Sequence, residues 1–250
     1  MSFLSNLFSG SKPKTKPQPL STYYIIGDIH GRADLLEKLL AKIDAEKSSD
    51  AQIVCVGDYI DRGDNGADVL SAVFARDKKD PNFTALYGNH EELMLDFLDK
   101  PDIAANRWLR NGGLQTLAGF KIGGFGENAP SDKTKQAAED LRKAMPKGME
   151  DWLRTLPRTT SSGNLHIVHA GADPAIAMED QDPHTLTWGH KDFAKKSRND
   201  GAWVAYGHII TETPGPDKLG RIAVDTGAYY SGKLTAAKVT PEGEITLITT

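Results

Sequence analysis

The sequence predicts an α/β domain. Short runs of β-branched and aromatic residues alternate with stretches whose apolar residues recur at helical spacing. Each of the first three runs also ends on a glycine followed by an acid or an amide. Residues 21–26 read as a buried strand ending at Gly27. Residues 34–46 carry Leu35, Leu36, Leu39, Leu40 and Ile43 on one helical face. Residues 52–56 form the second strand, and 67–75 the second helix, with Val69, Leu70, Val73 and Phe74 apolar. Residues 82–86 are the third strand and 91–98 the third helix, with Glu91 read as its cap. This order argues for a sheet with helices on its faces, whose functional groups gather beyond the carboxyl ends of the strands.

Residues 107–117 contain WLRNGG and predict a helix closing on a glycine turn; 119–132 are Gly/Ala-rich and loop-like. Residues 134–156 predict one helical stretch with Leu141, Met145, Met149, Trp152, Leu153 and Leu156 facing inward. Strands follow at 165–168, 203–206, 221–224, 234–239 and 244–248, the last two a hairpin through 241–243. No internal repeat and no core-splitting linker is visible. The chain therefore divides into a flexible tail over 1–20 and a single domain over 21–250. Within the tail, 9–19 are a Pro/Lys-rich extended linker and 1–8 a short apolar terminus, for which a weak interfacial or partner-binding anchor is the alternative.

A chain of 250 residues, 39% hydrophobic and 26% charged, has the composition of an ordinary globular protein. Its net charge of −4 argues against a nucleic-acid partner, because phosphate backbones reward basic faces. The single cysteine, Cys55, lies in a strand and cannot form an internal disulfide. No stretch reaches the ~20 apolar residues of a membrane span. The positive charge follows the apolar start instead of preceding it, unlike a signal peptide. Cytoplasmic residence is the default expectation.

Five clusters carry the chemistry: GDIHG at 27–31, GDYIDRG at 57–63, GNHE at 88–91, HAG at 169–171 and GH at 207–208. Any one alone is an ordinary turn. Three in order, each closing a predicted strand, are not. Asp28 and His30 offer a carboxylate and an imidazole to one cation. Asp58 can bridge two cations, Asn89 adds an amide oxygen, and His169 and His208 add nitrogens. Mixed N/O ligation suits two divalent transition-metal ions, Mn²⁺ foremost, with Fe or Zn²⁺ as alternatives. Two such ions ~3.5–4 Å apart can polarise a water and clamp a phosphoryl oxygen.

With these motifs in place, the chain resembles the phosphoprotein phosphatase family of dinuclear metallophosphoesterases, most closely its bacterial and phage branch. The likeness runs from about residue 23 to 247 and includes WLRNGG at 108–113 and VDTGAYYSGKLTA at 224–236. The resemblance implies a central β-sandwich flanked by helices, with metals at one edge. It implies Asp28, His30 and Asp58 as ligands of one metal and Asp58, Asn89, His169 and His208 as ligands of the other. His90 would protonate the leaving group, Asp61 would orient and charge His90, and Arg62 would grip the phosphate. Relatives carry a second gripping arginine in a W-x-R pattern. Here the segment reads Trp188-Gly189-His190, leaving His190 or Arg198 as candidates for that place. Arg107, Arg110 and Asn111 fall near the expected cleft without assigned roles. Trp108, Trp152 and Trp203 read as core, and His166 and His184 as surface or satisfied core histidines. The implied activity is hydrolysis of phosphate monoesters of the serine/threonine protein phosphatase type, on a phosphorylated protein or small molecule. A bis(5′-nucleosyl)-tetraphosphatase is the alternative, and a catalytically weak metal-binding regulatory module is the alternative from another class.

Overall fold

Two five-stranded sheets face each other in the computed structural model, which describes residues 15–124 and 126–250. The first sheet runs β10-β9-β1-β2-β3, built from β1 (Tyr23–Ile26), β2 (Gln52–Cys55), β3 (Phe83–Ala85), β9 (Thr235–Val239) and β10 (Ile245–Thr249). The second runs β4-β5-β6-β8-β7, from β4 (Thr159–Ser162), β5 (Leu165–Val168), β6 (Trp203–Tyr206), β7 (Gly215–Pro216) and β8 (Arg221–Ala223). In each sheet three strands are parallel, β1-β2-β3 and β5-β6-β8, with antiparallel strands at the flanks. Their carboxyl ends therefore gather on one side, where the loops carrying the motifs emerge.

Strand alternation sorts the core into layers. In β1, Ile25 points into the space between the sheets and joins Val54, Ile167, Trp203, Ala205 and Val239. Tyr24 and Ile26 point the other way, into the layer beneath the helices. In β6, Trp203 and Ala205 face the first sheet, while Val204 and Tyr206 face outward against Phe193 and Leu186. The apolar runs at 52–56 and 203–206 do not alternate in polarity because both faces of these strands are covered.

Helices α1 (Ala33–Glu46), α2 (Gly66–Lys79) and α3 (Asn89–Asp99) follow β1, β2 and β3. Leu35, Leu36, Leu39 and Ile43 of α1 are buried, each worth about 1.5–3 kcal/mol by removal from water. The chain continues through α4 (Pro101–Trp108), a π-helical turn (Leu109–Gly113), α5 (Leu114–Gly119), α6 (Ser131–Ala144), α7 (Met149–Thr155), α8 (Pro183–Trp188) and α9 (Ala228–Ser231).

The structure revises three sequence expectations and adds a strand. The simple helix-covered sheet becomes a two-sheet sandwich, as the resemblance implied. The helix expected over 107–117 passes through the glycine pair, but with Gly112 at φ +106°. A Cβ there would lie 2.4 Å from the backbone nitrogen of Arg62, so the helix is interrupted where another segment packs onto it. The single stretch over 134–156 is two helices, broken at Pro146 and by Gly148 at φ +82°, although its predicted inward residues are all buried. Strand β4 is polar and partly exposed, so it lacked an apolar signal.

The tail reading falls partly on residues 1–14, which lie outside the described residues. Residues 15–20 lie along the second sheet. The Gln18 N–H donates to Asn164 Oδ1 at 2.7 Å, the Leu20 N–H to Ser162 Oγ at 2.9 Å, and Trp203 Nε1 to the Thr15 carbonyl at 3.0 Å. Among the described residues, no helix is long and apolar enough to cross a membrane.

Candidate active site

The five motif loops converge where the carboxyl ends of both sheets meet. The first sheet supplies Asp28 and His30 after β1, Asp58, Asp61 and Arg62 after β2, and Asn89 and His90 at the start of α3. The second supplies His169 after β5 and His208 after β6. Backbone strain marks the same place. Seven described non-glycine residues have positive φ, and five of them are His30, Asp58, Asp61, Arg62 and His208. Each such conformation costs on the order of 1–3 kcal/mol and persists only where surrounding contacts impose it.

Asp58 is at the centre. Its Oδ2 lies 3.5 Å from His30 Nε2 and 3.8 Å from His90 Nε2, and its Oδ1 lies 3.5 Å from His169 Nε2. It also accepts the His90 N–H at 3.0 Å. Burial opposes its ionisation, but the imidazoles of His169, His90 and His30 outweigh that and hold its carboxyl below the usual range. Gly88 is required here, because a Cβ at that position would lie 2.3 Å from Asp58 Oδ1.

The donor set fits divalent cations. His30, Asp58 and His90 form one group of potential ligand atoms, and Asp58, His169 and His208 a second, each lying within 4.8 Å of one another. Burial lowers His30 to about 3 and His208 to about 4, and lowers His169 as well, favouring the neutral ring in each against the pull of the Asp58 carboxylate. His30 Nδ1 is 2.8 Å from the Ile60 carbonyl and His169 Nδ1 is 2.9 Å from the Val56 carbonyl. A neutral ring donating from Nδ1 has a bare lone pair on Nε2. In both residues that lone pair faces an Asp58 oxygen, an arrangement of acceptor against acceptor that a cation resolves. Asn89 Oδ1 lies 2.8 Å from both His169 Nε2 and His208 Nδ1. Asp28 is outside these two tight groups; its oxygens take the His208 N–H at 3.0 and 2.9 Å. Burial foremost, then the neighbouring carboxylates of Asp225 and Asp58, push the Asp28 carboxyl well up.

The His90 ring is held at both nitrogens. Nδ1 is 2.7 Å from Asp61 Oδ2, and Nε2 is 3.2 Å from Arg62 Nη2. Burial disfavours charge on His90, yet Asp58 and Asp61 together raise its pKa above the ordinary imidazole value. Asp61 is itself fixed by Thr116 Oγ1 at 2.6 Å and Trp108 Nε1 at 3.0 Å. Trp108 is thus core, as its sequence context predicts, and also a donor into the site.

Glu91 does more than cap α3. It accepts the Gly88 N–H at 3.0 Å, the Asp58 N–H at 2.8 Å and the Tyr59 N–H at 2.9 Å, pinning the loop after β2 to the start of α3. Burial and Asp58 raise its pKa to about 8, while the N–H donors favour the anion. Replacing Glu91 with Gln turns an amide N–H₂ toward backbone N–H groups. It should destabilise the metal-free protein by on the order of 2–3 kcal/mol, read as a lower urea midpoint. An unchanged midpoint would show that these bonds contribute nothing to stability.

Two further sequence candidates, His190 and Arg198, have partners of their own. His190 Nε2 faces Asp173 Oδ2 at 3.6 Å, and its Nδ1 accepts the Asp192 N–H at 3.3 Å. Arg198 pairs with Asp200 and donates to the carbonyls of Asp173 at 2.8 Å and Ile176 at 2.7 Å. Its side chain, only 6% exposed, is a brace for the loop after β5. Arg198→Ala should lower the melting temperature and leave KM for a phosphate monoester unchanged; a raised KM with normal stability would return Arg198 to the phosphate.

Sequence reasoning missed Asp225 and Tyr229. Asp225 closes β8 in the same grammar as the other motifs, an apolar strand, an acid and a nearby glycine. It is buried within hydrogen-bond reach of Asp28, and burial lifts it to about 6. Tyr229 places its ring 5.1 Å from the Arg62 guanidinium and 5.5 Å from the His30 ring. His184, read as a bystander, stacks on Trp188.

Two facing sheets that pool imidazoles and carboxylates from both edges, beside a histidine–aspartate pair and an arginine, define a metal-dependent phosphoesterase. The chain belongs to the calcineurin-like phosphoesterase family, which matches residues 21–212. It is accordingly a hydrolase of phosphate esters, and the family's His/Asp cluster supports divalent metals as its cofactors. It is 27% identical to serine/threonine-protein phosphatase 2 of Salmonella typhimurium (strain LT2), over 86% of this chain and 92% of that one. The same-named protein of Escherichia coli (strain K12) is 34% identical over a shorter stretch, 40% of this chain and 45% of that one. An asymmetrical bis(5′-nucleosyl)-tetraphosphatase of Oceanobacillus iheyensis is 28% identical over 88% of this chain and 89% of its own. The fold is shared with a cold-active protein-tyrosine phosphatase of a psychrophilic Shewanella, with a TM-score of 0.58 and 16% identity over 95% of this chain and 83% of that one.

Proposed function

We propose that this protein is a dinuclear metal-dependent phosphatase of the serine/threonine protein phosphatase type, cleaving phosphate monoesters by in-line attack of water. The observation that carries the reading is the buried His90–Asp61 pair, 2.7 Å long, set between the Asp58-centred ligand groups and Arg62. In this reading Asp28, His30 and Asp58 hold one cation, and Asp58, Asn89, His169 and His208 the other. Two bound cations, with Mn²⁺ favoured over Fe and Zn²⁺, supply the charge that acidifies a water and draws in phosphoryl oxygens. Arg62 leaves His90 Nε2 and takes two phosphoryl oxygens in a fork. His90 Nε2 donates a proton to the leaving oxygen, and Asp61 holds the ring at Nδ1 and stabilises its charged form. A cytoplasmic setting accords with this chemistry, since the lone cysteine is buried and no disulfide is needed.

A relative of comparable coverage named as a nucleotide tetraphosphatase supports the second reading, hydrolysis of a dinucleoside polyphosphate. With Mn²⁺ supplied, a panel of phosphoserine and phosphothreonine peptides, diadenosine tetraphosphate and a cyclic nucleotide separates the two. The first reading expects kcat/KM highest on the phosphopeptides; a preference of tenfold or more for the tetraphosphate overturns it in favour of the second.

A further inference from the structure

We infer that residues 1–20 are an anchor for an anionic lipid surface, tethered by the fold at the edge opposite the candidate active site. The inference goes beyond the catalytic reading and stands apart from it. Its structural half is the strap of residues 15–20. Pro17 and Pro19 are buried, while Lys16, Gln18 and Leu20 alternate with them and face solvent. Leu20 is 87% exposed, more than any other large apolar side chain among the described residues. The strap is clamped to both sheets. Asn164 Nδ2 donates to the Lys16 carbonyl at 2.9 Å, beside the bonds of Thr15, Gln18 and Leu20 already described. A Cβ on Gly243 would lie 2.8 Å from Lys16 Cβ, so this turn gives up a side chain where the strap passes.

The place of the clamp sets the direction in which the anchor leaves. Asn164 precedes β5, and Trp203 opens β6. Gly243 lies in the turn after Val239, which pairs with Tyr23 at the start of β1. The strap therefore crosses the amino ends of the parallel strands. His169 and His208 emerge from the carboxyl ends of the same β5 and β6.

The chemical half is sequence. Residues 1–14 lie outside the described residues, and they place Phe3, Leu4, Leu7 and Phe8 at the spacing of one helical face. Lys12, Lys14 and Lys16 follow, and the first acid of the chain is Asp28, although the net charge overall is −4. Apolar side chains entering the headgroup boundary and lysines meeting anionic headgroups add in interfacial binding. The exposed Lys16 and Leu20 continue the same two chemistries onto the strap. An apolar groove on another protein would reward the first chemistry but not the second. A bilayer met at this edge leaves the motif loops turned toward water.

The test is cosedimentation of the full chain with vesicles of phosphatidylcholine, alone or mixed with phosphatidylglycerol. The parent should bind the anionic vesicles at least about tenfold more tightly than the neutral ones, and less so as salt rises. Phe3→Ser, Leu4→Ser, Leu7→Ser and Phe8→Ser combined should weaken that binding by at least about tenfold. Lys12→Gln, Lys14→Gln and Lys16→Gln combined should weaken it on the order of 10²-fold on anionic vesicles and leave neutral ones unaffected. Leu20→Ser should cost about threefold in binding without lowering the melting temperature, because its side chain faces solvent. A parent that stays in the supernatant with anionic vesicles overturns the inference, as does a fourfold serine variant that sediments like the parent. A parent that ignores vesicles but dimerises in analytical ultracentrifugation through the same four apolar residues overturns it in favour of a second copy of the chain.

Discussion

Replacing Asp58 with Asn is expected to empty both ligand groups at once and to lower kcat on the order of 10³-fold or more, the scale seen when one member of an interdependent catalytic set is removed. Asp58 belongs to both groups, and its two oxygens together face three imidazole nitrogens within 3.8 Å. An amide keeps the size but removes the charge and one acceptor. The measurements are metal content after desalting from saturating Mn²⁺ and turnover of a phosphate ester. The parent should retain two metals per chain and the variant fewer than one. A parent that binds a single metal at saturation would sink the dinuclear reading, and a variant that retains both would move the bridging role away from Asp58. Asp58 also anchors the His90 N–H, so far-ultraviolet circular dichroism should accompany the assay.

The second large effect is expected at His90. His90→Asn should lower kcat by roughly 10²–10⁴ on an alkyl phosphate, the span of a positioned general acid. The loss should shrink on an activated aryl phosphate, whose leaving oxygen needs little protonation. The proposed role uses both ring nitrogens: Nδ1 is 2.7 Å from Asp61 Oδ2, and Nε2 is 3.2 Å from Nη2 of Arg62, the residue proposed to hold the phosphate. His90 also belongs to one of the two potential ligand groups. Equal losses on alkyl and aryl esters, with metal content reduced, would make it a ligand rather than an acid. Asp61→Asn should follow the same leaving-group pattern more weakly, because Thr116 and Trp108 still fix the position of the side chain.

Much of this was legible from sequence because the motifs sit where parallel strands end. An apolar run followed by Gly-Asp or Gly-Asn states both the strand and the place where its polar group emerges. Nine motif residues, Asp28, His30, Asp58, Asp61, Arg62, Asn89, His90, His169 and His208, come together in the structure as that grammar suggests. What escaped lacks that periodicity. Strand β4 is TTSS, polar because one face is partly open, so its pairing with β5 supplies what composition does not. The two-sheet arrangement depends on which strands pair, and β9 inserts beside β1 from more than 200 residues away, which no local pattern encodes. Asp225 also closes an apolar run, but its glycine follows two residues later instead of preceding the acid, so it lies outside the Gly-Asp pattern. The bonds from Trp108 and Thr116 to Asp61 bridge 47 and 55 residues, and they are visible only once α4 and α5 are in place.

The ligand group of Asp58, His169 and His208 draws on both sheets. A cation held there is therefore a rivet across the sandwich, and its binding free energy is also folding free energy. By mass action the folded state gains RT ln(1 + [M]/Kd) per site, about 2.7 kcal/mol at a free metal concentration one hundred times Kd. The melting temperature then becomes a gauge of free metal, climbing with its logarithm and falling under a chelator. Scarcity of the ion acts twice, stopping turnover and loosening the same molecules toward unfolding.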